Sequence, residues 1–331
     1  MKFDALVAGG ADYVQSSEPP FDEEAVWAEL IDSGVEEAWS HSLHSDRVYS
    51  VIERDGVVYS GANDDTVKAA DASDGSEIWS HSLHSNTVRS VFERDGVVYS
   101  ASDDGTVKAV DASDGTEIWS HSLHGNDVWS VFERDGVVYS GSDDDTVIAA
   151  DASDGSEIWS HSLHSGSVLS VFARDGVVYS GSNDDTVKAA DASDQSEIWS
   201  HSLHSGNVHS VIERDGVVYS GAFDGVKAVD ASDGTEIWSH SLHSGGVRSV
   251  FERDGVVYSG SVGDTVIAAD ASDGSEIWSH SLHGNDVWSV FERDGVVYSG
   301  SDDDTVIAAN ILTDVNLRIG FDNKWLPMEG Q

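Results

Sequence analysis

Apolar and polar residues alternate along this chain in short runs, and the runs come in sets of four. In the first set, 48–53 reads Val-Tyr-Ser-Val-Ile-Glu, 57–61 reads Val-Val-Tyr-Ser-Gly, 66–71 reads Thr-Val-Lys-Ala-Ala-Asp and 77–83 reads Glu-Ile-Trp-Ser-His-Ser-Leu. Short runs rich in β-branched and aromatic residues, bounded by polar turn clusters, predict strands. We label them a, b, c and d. Asp55-Gly56 between a and b is a strong hairpin signal, because two consecutive residues must adopt positive φ there. Asn63-Asp64-Asp65 and Ala72-Ser73-Asp74-Gly75 supply the next two turns.

The set recurs. Trp-Ser-His-Ser-Leu-His starts at Trp39, Trp79, Trp119, Trp159, Trp199, Trp238 and Trp278, a spacing of 40 residues except for one of 39. A repeat of about 40 residues holding four short strands is the period of a β-propeller blade. The expected fold is all-β: a seven-bladed propeller of four-stranded antiparallel blades over residues 37–310. Strand d at 37–43 precedes the first strand a, and the last a–b–c set ends near Asn310 without a d strand of its own. The N-terminal strand is therefore expected to complete the last blade and cover its open edge. Pro19, Pro20 and Pro327 all lie outside the blades, where no ladder hydrogen bond is lost.

The flanks read less regularly. Residues 1–36 form an N-terminal extension, with 1–20 loose or adding a marginal strand. A short helix is expected over 22–33, with Asp22 as its cap, Trp27, Leu30 and Ile31 on one face, and Gly34 ending it. In the tail, 311–331, a strand is expected at 317–321, and Trp325, Leu326 and Pro327 fall in a loop.

Charge changes the picture. Of 331 residues, 61 are acidic and 17 basic, a formal charge of −44, and only six of the cations are lysine. Such a surface repels nucleic acid and anionic membrane, and it pushes the compact state apart in dilute buffer. The acid is spread through every repeat among Val, Ile, Tyr and Trp, unlike an acidic disordered tail. This composition resembles that of extreme halophiles, in particular haloarchaea, whose working salt screens charge to within a few ångströms. Without cysteine there is no disulfide, thiolate site or cysteine-bound zinc. Neither a signal peptide nor an 18-residue apolar run is evident, so a cytoplasmic monomer is expected.

The repeat resembles two propeller families. His44, Val48, Ser50, Ser60-Gly61, Asp64, Thr66-Val67 and Asp71 are similar to a WD repeat. That resemblance implies a hydrogen-bonded network of His44, Ser60 and Asp64. The fourth member, a strand-c Trp, is replaced by Ala70, and every blade has Ala or Val there. Val67-Lys-Ala69-Ala-Asp71-Ala-Ser-Asp-Gly75-Ser-Glu-Ile-Trp79 resembles a quinoprotein-type (PQQ-like) repeat. This resemblance implies that the strand-d Trp79 docks against the Ala and Gly of a neighbouring motif, the positions of Ala69 and Gly75. One blade departs, with Gln195 at the Gly position.

Neither resemblance brings an obvious catalytic constellation. Catalysis needs an unequal set of groups, and no blade carries a reactive residue that the others lack. His41 and His44 are three apart, so on a strand they point to opposite faces and do not chelate together. The Asp143-Asp144-Asp145 type of turn lacks the spaced ligands of a calcium loop. No cofactor or metal is expected.

Blades three and seven match at 32 of 33 positions from Trp119 and Trp278 onward, so the positions that do differ carry the information. They cluster before strand a, one residue into it, and in the b–c turn. Tyr49, Arg89, Trp129, Leu169, His209, Arg248 and Trp288 form the second group, and Arg47 belongs to the first. In the propellers resembled, the d–a and b–c loops share one rim, with Arg54 and its counterparts on the opposite one. Exposed Trp and Arg are typical binding anchors, so these eight residues are the candidate partner-binding set, and Trp129→Ala with Trp288→Ala is expected to weaken ligand capture at little cost in stability. The function expected is a non-catalytic scaffold for an unidentified protein or peptide. The alternatives are a quinoprotein-type oxidoreductase and a recently amplified array with little selected function.

Overall fold

The computed structural model describes the backbone of residues 26–30, 34–312, 317–321 and 324–327, and the side chains of 34–312. Seven four-stranded antiparallel sheets follow one another from Gly34 to Ile311. In blade one, strand a is Val48–Arg54, b is Val57–Ala62, c is Val67–Asp71 and d is Glu77–His81. Blade seven takes Val287–Arg293, Val296–Ser301 and Val306–Leu312 as a, b and c. Its d strand is Gly34–His41, paired with Val306–Leu312, so the N-terminal strand closes the ring as expected. The blade unit starts at Gly34, three residues before the predicted 37.

Turn chemistry explains the local form. Asp55 and Gly56 both have positive φ, 52° and 82°, as a tight hairpin requires. Gly75 has φ 71°, and a Cβ there would meet Cε3 of Trp39 at 2.8 Å. The glycine is thus the seat for the tryptophan of the preceding blade. Gln195 occupies that seat in blade four at φ 61°, and Trp159, which would sit there, is less buried than the other six repeat tryptophans.

Two devices join neighbouring blades. Six strand-d tryptophans are hydrogen-bonded across to the next blade, as Trp39 Nε1 donates to Ala72 O and Trp79 Nε1 to Ala112 O, both at 2.9 Å. Within its own blade Trp79 lies opposite Ala69. Nearer the axis, the third residue of every strand a is serine, and its Oγ accepts from a Val N–H of the next blade. The bonds run Ser50 to Val91, Ser90 to Val131, Ser130 to Val171, Ser170 to Val211, Ser210 to Val250, Ser249 to Val290 and Ser289 to Val51, at 2.9–3.3 Å. The ring of serines closes on itself, which satisfies buried backbone donors that no ladder reaches.

The flanks correct two expectations. Val26–Leu30 is a strand and not part of a helix; the rest of 22–33 and all of 1–20 lie outside the described residues. It pairs antiparallel with Leu317–Phe321, in register Val26 to Phe321, and Lys324–Pro327 pairs on the other side. Trp325, Leu326 and Pro327 are therefore in a strand and not a loop, while 317–321 is the strand expected. Val-Trp-Ala-Glu-Leu suits either period, and its pairing partner lies almost 300 residues away, beyond the reach of local pattern.

Candidate functional site at one mouth of the channel

Strand a is bulged in every blade. In blade one the register shifts between Val48 and Ser50, leaving Tyr49 as the extra residue outside the ladder. A bulge re-aims a side chain and frees it from cross-strand constraint. The bulge position holds five residue types among the seven blades, and all seven of its residues line one end of the central channel above the serine ring. The cavity they bound holds about 170 Å³. Arg54 and its counterparts line the opposite end, below a tier of aromatic rings such as Phe92, Phe132 and Phe172. There five of them bridge to the glutamate of the next blade, as in Arg54 to Glu93 at 3.4 Å, whereas the blade after Arg134 has Ala173 at that position.

The candidate residues meet, but as a girdle and not as free anchors. The Arg89 guanidinium sits between two rings, 4.5 Å from the centroid of Tyr49 and 4.3 Å from that of Trp129. Tyr49 meets Trp288 edge-on at 4.9 Å, and Arg248 lies 4.6 Å over Trp288. Arg248 Nη1 donates to His209 Nε2 at 2.6 Å. Burial and the Arg248 charge push His209 down to about 4, so it is neutral and able to accept. Leu169 is buried between the two ends of this belt. Arg47 flanks it, half-exposed, beside Tyr49 and at 3.4 Å from Asp302.

The belt is further tied down by the b–c turn. Arg89 forks onto Asp103 through Nε at 2.8 Å and Nη2 at 2.6 Å. Trp129 Nε1 donates to Asp143 at 2.6 Å, and Trp288 Nε1 donates to Asp302 at 2.5 Å. Asp302 sits above its ordinary range because burial outweighs the Trp288 hydrogen bond and Arg47. This corrects the expectation that Trp129 and Trp288 can be removed freely: their indoles pack against cations and satisfy turn carboxylates. Trp129→Ala is expected to lower stability by about 2 kcal/mol in a denaturant titration, the range for losing an aromatic contact with its hydrogen bond. An unchanged midpoint would show that the belt carries no packing energy.

Beneath the rim lies the network implied by the WD resemblance. His44 Nδ1 contacts Asp64 Oδ1 at 3.1 Å and Thr66 Oγ1 at 2.9 Å, and its Nε2 contacts Ser60 Oγ at 2.8 Å. A carboxylate only accepts, so Nδ1 donates and Nε2 accepts the serine proton. The Thr66 hydroxyl donates to Asp64 in turn, at 2.5 Å. The threonine was missed by sequence reasoning, although its recurrence two residues after the Asp was visible. His41 points away, to Asp74 O at 3.0 Å, and shares no site with His44.

These networks make stability depend on pH. Burial depresses His124, His164 and His204, and pushes His243 down to about 4, from the ordinary 6.5. An imidazole whose folded pKa is depressed stabilises the fold above 6.5, and the stability is lost as pH falls. Burial raises Asp184, but hydrogen bonds from Thr186 and the Ser165 N–H, with His164, outweigh it and leave Asp184 at about 2 against 3.8. Its contribution is present above 3.8 and lost as pH falls towards 2. Glu93, Glu133, Glu252 and Glu292 oppose this, since burial pushes them above 4.5. Tm is expected to begin falling below pH about 6.5 and to drop steeply below about 4. A Tm constant from pH 7.5 to 4 in calorimetry would contradict this linkage.

A family model described as outer membrane protein assembly factor BamB matches residues 26–129, 103–225 and 222–316. Among solved structures the chain is similar to the computationally designed Ika8 protein, at 25% identity and TM-score 0.69, over 83% of this chain and 99% of that one. It is also similar to the WD40 β-propeller domain of Doa1, at 22% identity and TM-score 0.76, over 85% of this chain and 98% of that one, a likeness of fold. No curated protein matches the sequence.

Proposed function

The chain belongs to the repeat family described as outer membrane protein assembly factor BamB, and from that premise we propose that it is a non-catalytic scaffold that holds a protein or peptide at the rim of its d–a and b–c loops. The observation that carries this reading is positional. Blades that are otherwise copies differ at the seven residues of one channel mouth and in the turns beside it. A rigid ring whose variable positions converge is built for an unequal ligand, and rim loops can change without disturbing the core. The family description names an assembly factor, a role exercised on other proteins. Among the described residues no helix is long and apolar enough to cross a membrane; a cytoplasmic location is part of the proposal.

Phe223 is the rim residue best suited to test it. It stands in the b–c turn of blade five, is 74% exposed, and rests on Gly246. Phe223→Ala should leave the Tm unchanged and weaken capture of a partner isolated in concentrated salt by about tenfold, or ~1.4 kcal/mol. Arg134→Ala, on the opposite mouth, should not affect capture. Equal capture by wild type and Phe223→Ala, or loss in Arg134→Ala alone, would move the binding face. A quinone that copurifies stoichiometrically would favour the oxidoreductase alternative.

A further inference from the structure

The bulge residue of strand a and the first residue of the following b–c turn are 14 apart in every blade. In three blades they form a donor–carboxylate pair: Arg89 with Asp103, Trp129 with Asp143, Trp288 with Asp302. Blade six breaks the pattern. Arg248 is the bulge residue, and its turn partner is Val262. The next position is also changed: Gly263 stands where blade three has Asp144.

Arg248 is consequently a half-buried cation without an ion pair among the described residues. Its Nη1 is held only by the neutral His209, and its Nε is buried with no hydrogen-bond partner. In a chain with 61 acidic and 17 basic residues this is an anomaly, because removing the partner of a half-buried charge is costly. The guanidinium is nevertheless oriented. Its face lies over Trp288 as the face of Arg89 lies over Trp129. What is missing is the carboxylate on its edge.

We propose that Arg248 is a receptor for a carboxylate presented by the partner, which takes on Arg248 the place that Asp103 occupies on Arg89. The proposal rests on the scaffold reading only for the carrier of that carboxylate. The chain itself supplies the template for the chemistry: a planar anion bound through Nε and Nη2. The gap is also of the right kind. Val262 and Gly263 stand where blade three has Asp143 and Asp144, so this turn carries two carboxylates fewer, and Asp286 and Asp302 act on Arg248 without forming an ion pair with it. A single carboxylate fits a place vacated by a single carboxylate, whereas a phosphate dianion would bring a second charge against a net −44. In salt of about 1 M the long-range repulsion is screened beyond ~3 Å while a contact pair survives.

The test uses the full chain labelled with ¹⁵N-arginine. At constant total salt, potassium chloride is exchanged stepwise for potassium acetate while the arginine Nε–H resonances are followed. The Arg248 resonance, assigned by its absence in Arg248→Lys, should shift along a saturating curve. Arg89, already forked onto Asp103, should not move, and the neutral isostere acetamide should do nothing. Val262→Asp restores a carboxylate at the position that Asp103 holds in blade two, and it leaves in place Gly263, whose φ of 128° disfavours any side chain. That variant should fold, melt at a higher temperature, and bind acetate at least about tenfold more weakly, because its own carboxylate fills the site. Equal binding by wild type and variant, or no saturable shift at Arg248, overturns the proposal. Two capped peptides identify the source: acetyl-Gly-Gly with a free C-terminus, and acetyl-Gly-Asp-Gly-amide. Tighter binding of either than of acetate supports a peptide carrier. Acetate binding without either peptide would leave the anion site standing and overturn its peptide source.

Discussion

Removing residues 1–44 is expected to leave a chain that does not fold into a stable monomer, whereas removing 1–20 is expected to be tolerated. The longer deletion takes Gly34–His41, the fourth strand of the last blade. It also takes Trp39, which is 7% exposed, packs 6.3 Å from Tyr298 and donates to Ala72 O at 2.9 Å. One residue thereby joins the last blade to the first. Losing a buried Trp typically costs about 3–5 kcal/mol, against a total stability of about 5–15 kcal/mol for a domain. The deletion also strips His44 from its contacts with Asp64, Thr66 and Ser60, and uncovers the Val306–Leu312 edge for pairing with other chains. Size-exclusion chromatography and a thermal melt in concentrated salt decide the matter. A monomer melting as the full chain does would show that the closing strand contributes little.

The second large effect is that of salt. With a charge of −44 and carboxylates in every turn, the fold is expected to be unstable at about 0.05 M potassium chloride and to melt cooperatively at about 2 M, since screening lengths at those strengths differ severalfold. Local repulsion shows where burial, helped by neighbouring carboxylates, raises an acid: Asp127 near Asp103 and Asp143, and Glu93, Glu133, Glu252 and Glu292 near the Asp of the a–b turns. Asp64, Asp104, Asp184 and Asp303 are instead held ionised below their ordinary range by histidine, threonine and backbone donors that outweigh burial. Circular dichroism across a potassium chloride series measures this. A melt unchanged between the two strengths would remove the argument that the composition is an adaptation to salt.

The identity of each turn, the number of blades and the closure by an N-terminal strand were legible because they follow from local chemistry repeated seven times. Asp-Gly sets its hairpin wherever it stands, and counting strands d against strands a shows which blade is incomplete. The gathering of Tyr49, Arg89, Trp129, Leu169, His209, Arg248 and Trp288 at one mouth was legible too, since equal positions in a ring of copies share one level. The helix expected over 22–33 failed because a five-residue strand is decided by its neighbour, here Leu317–Phe321, and not by its own period.

The sequence by itself thus determined the ring, its blade count, its closing strand and the level at which its blades differ, because each depends on a repeating local pattern. Only the tertiary structure decided what those differing residues do to one another. The bulge that lifts Tyr49 and its counterparts out of the ladder, the stacking of Arg89 between two rings, and the fork of Arg89 onto Asp103 are contacts between elements. No single stretch of sequence encodes them. The same holds for Arg248. Its spacing from Val262 can be read in the chain, but its lack of a carboxylate has meaning only once Arg89 shows where that carboxylate belongs.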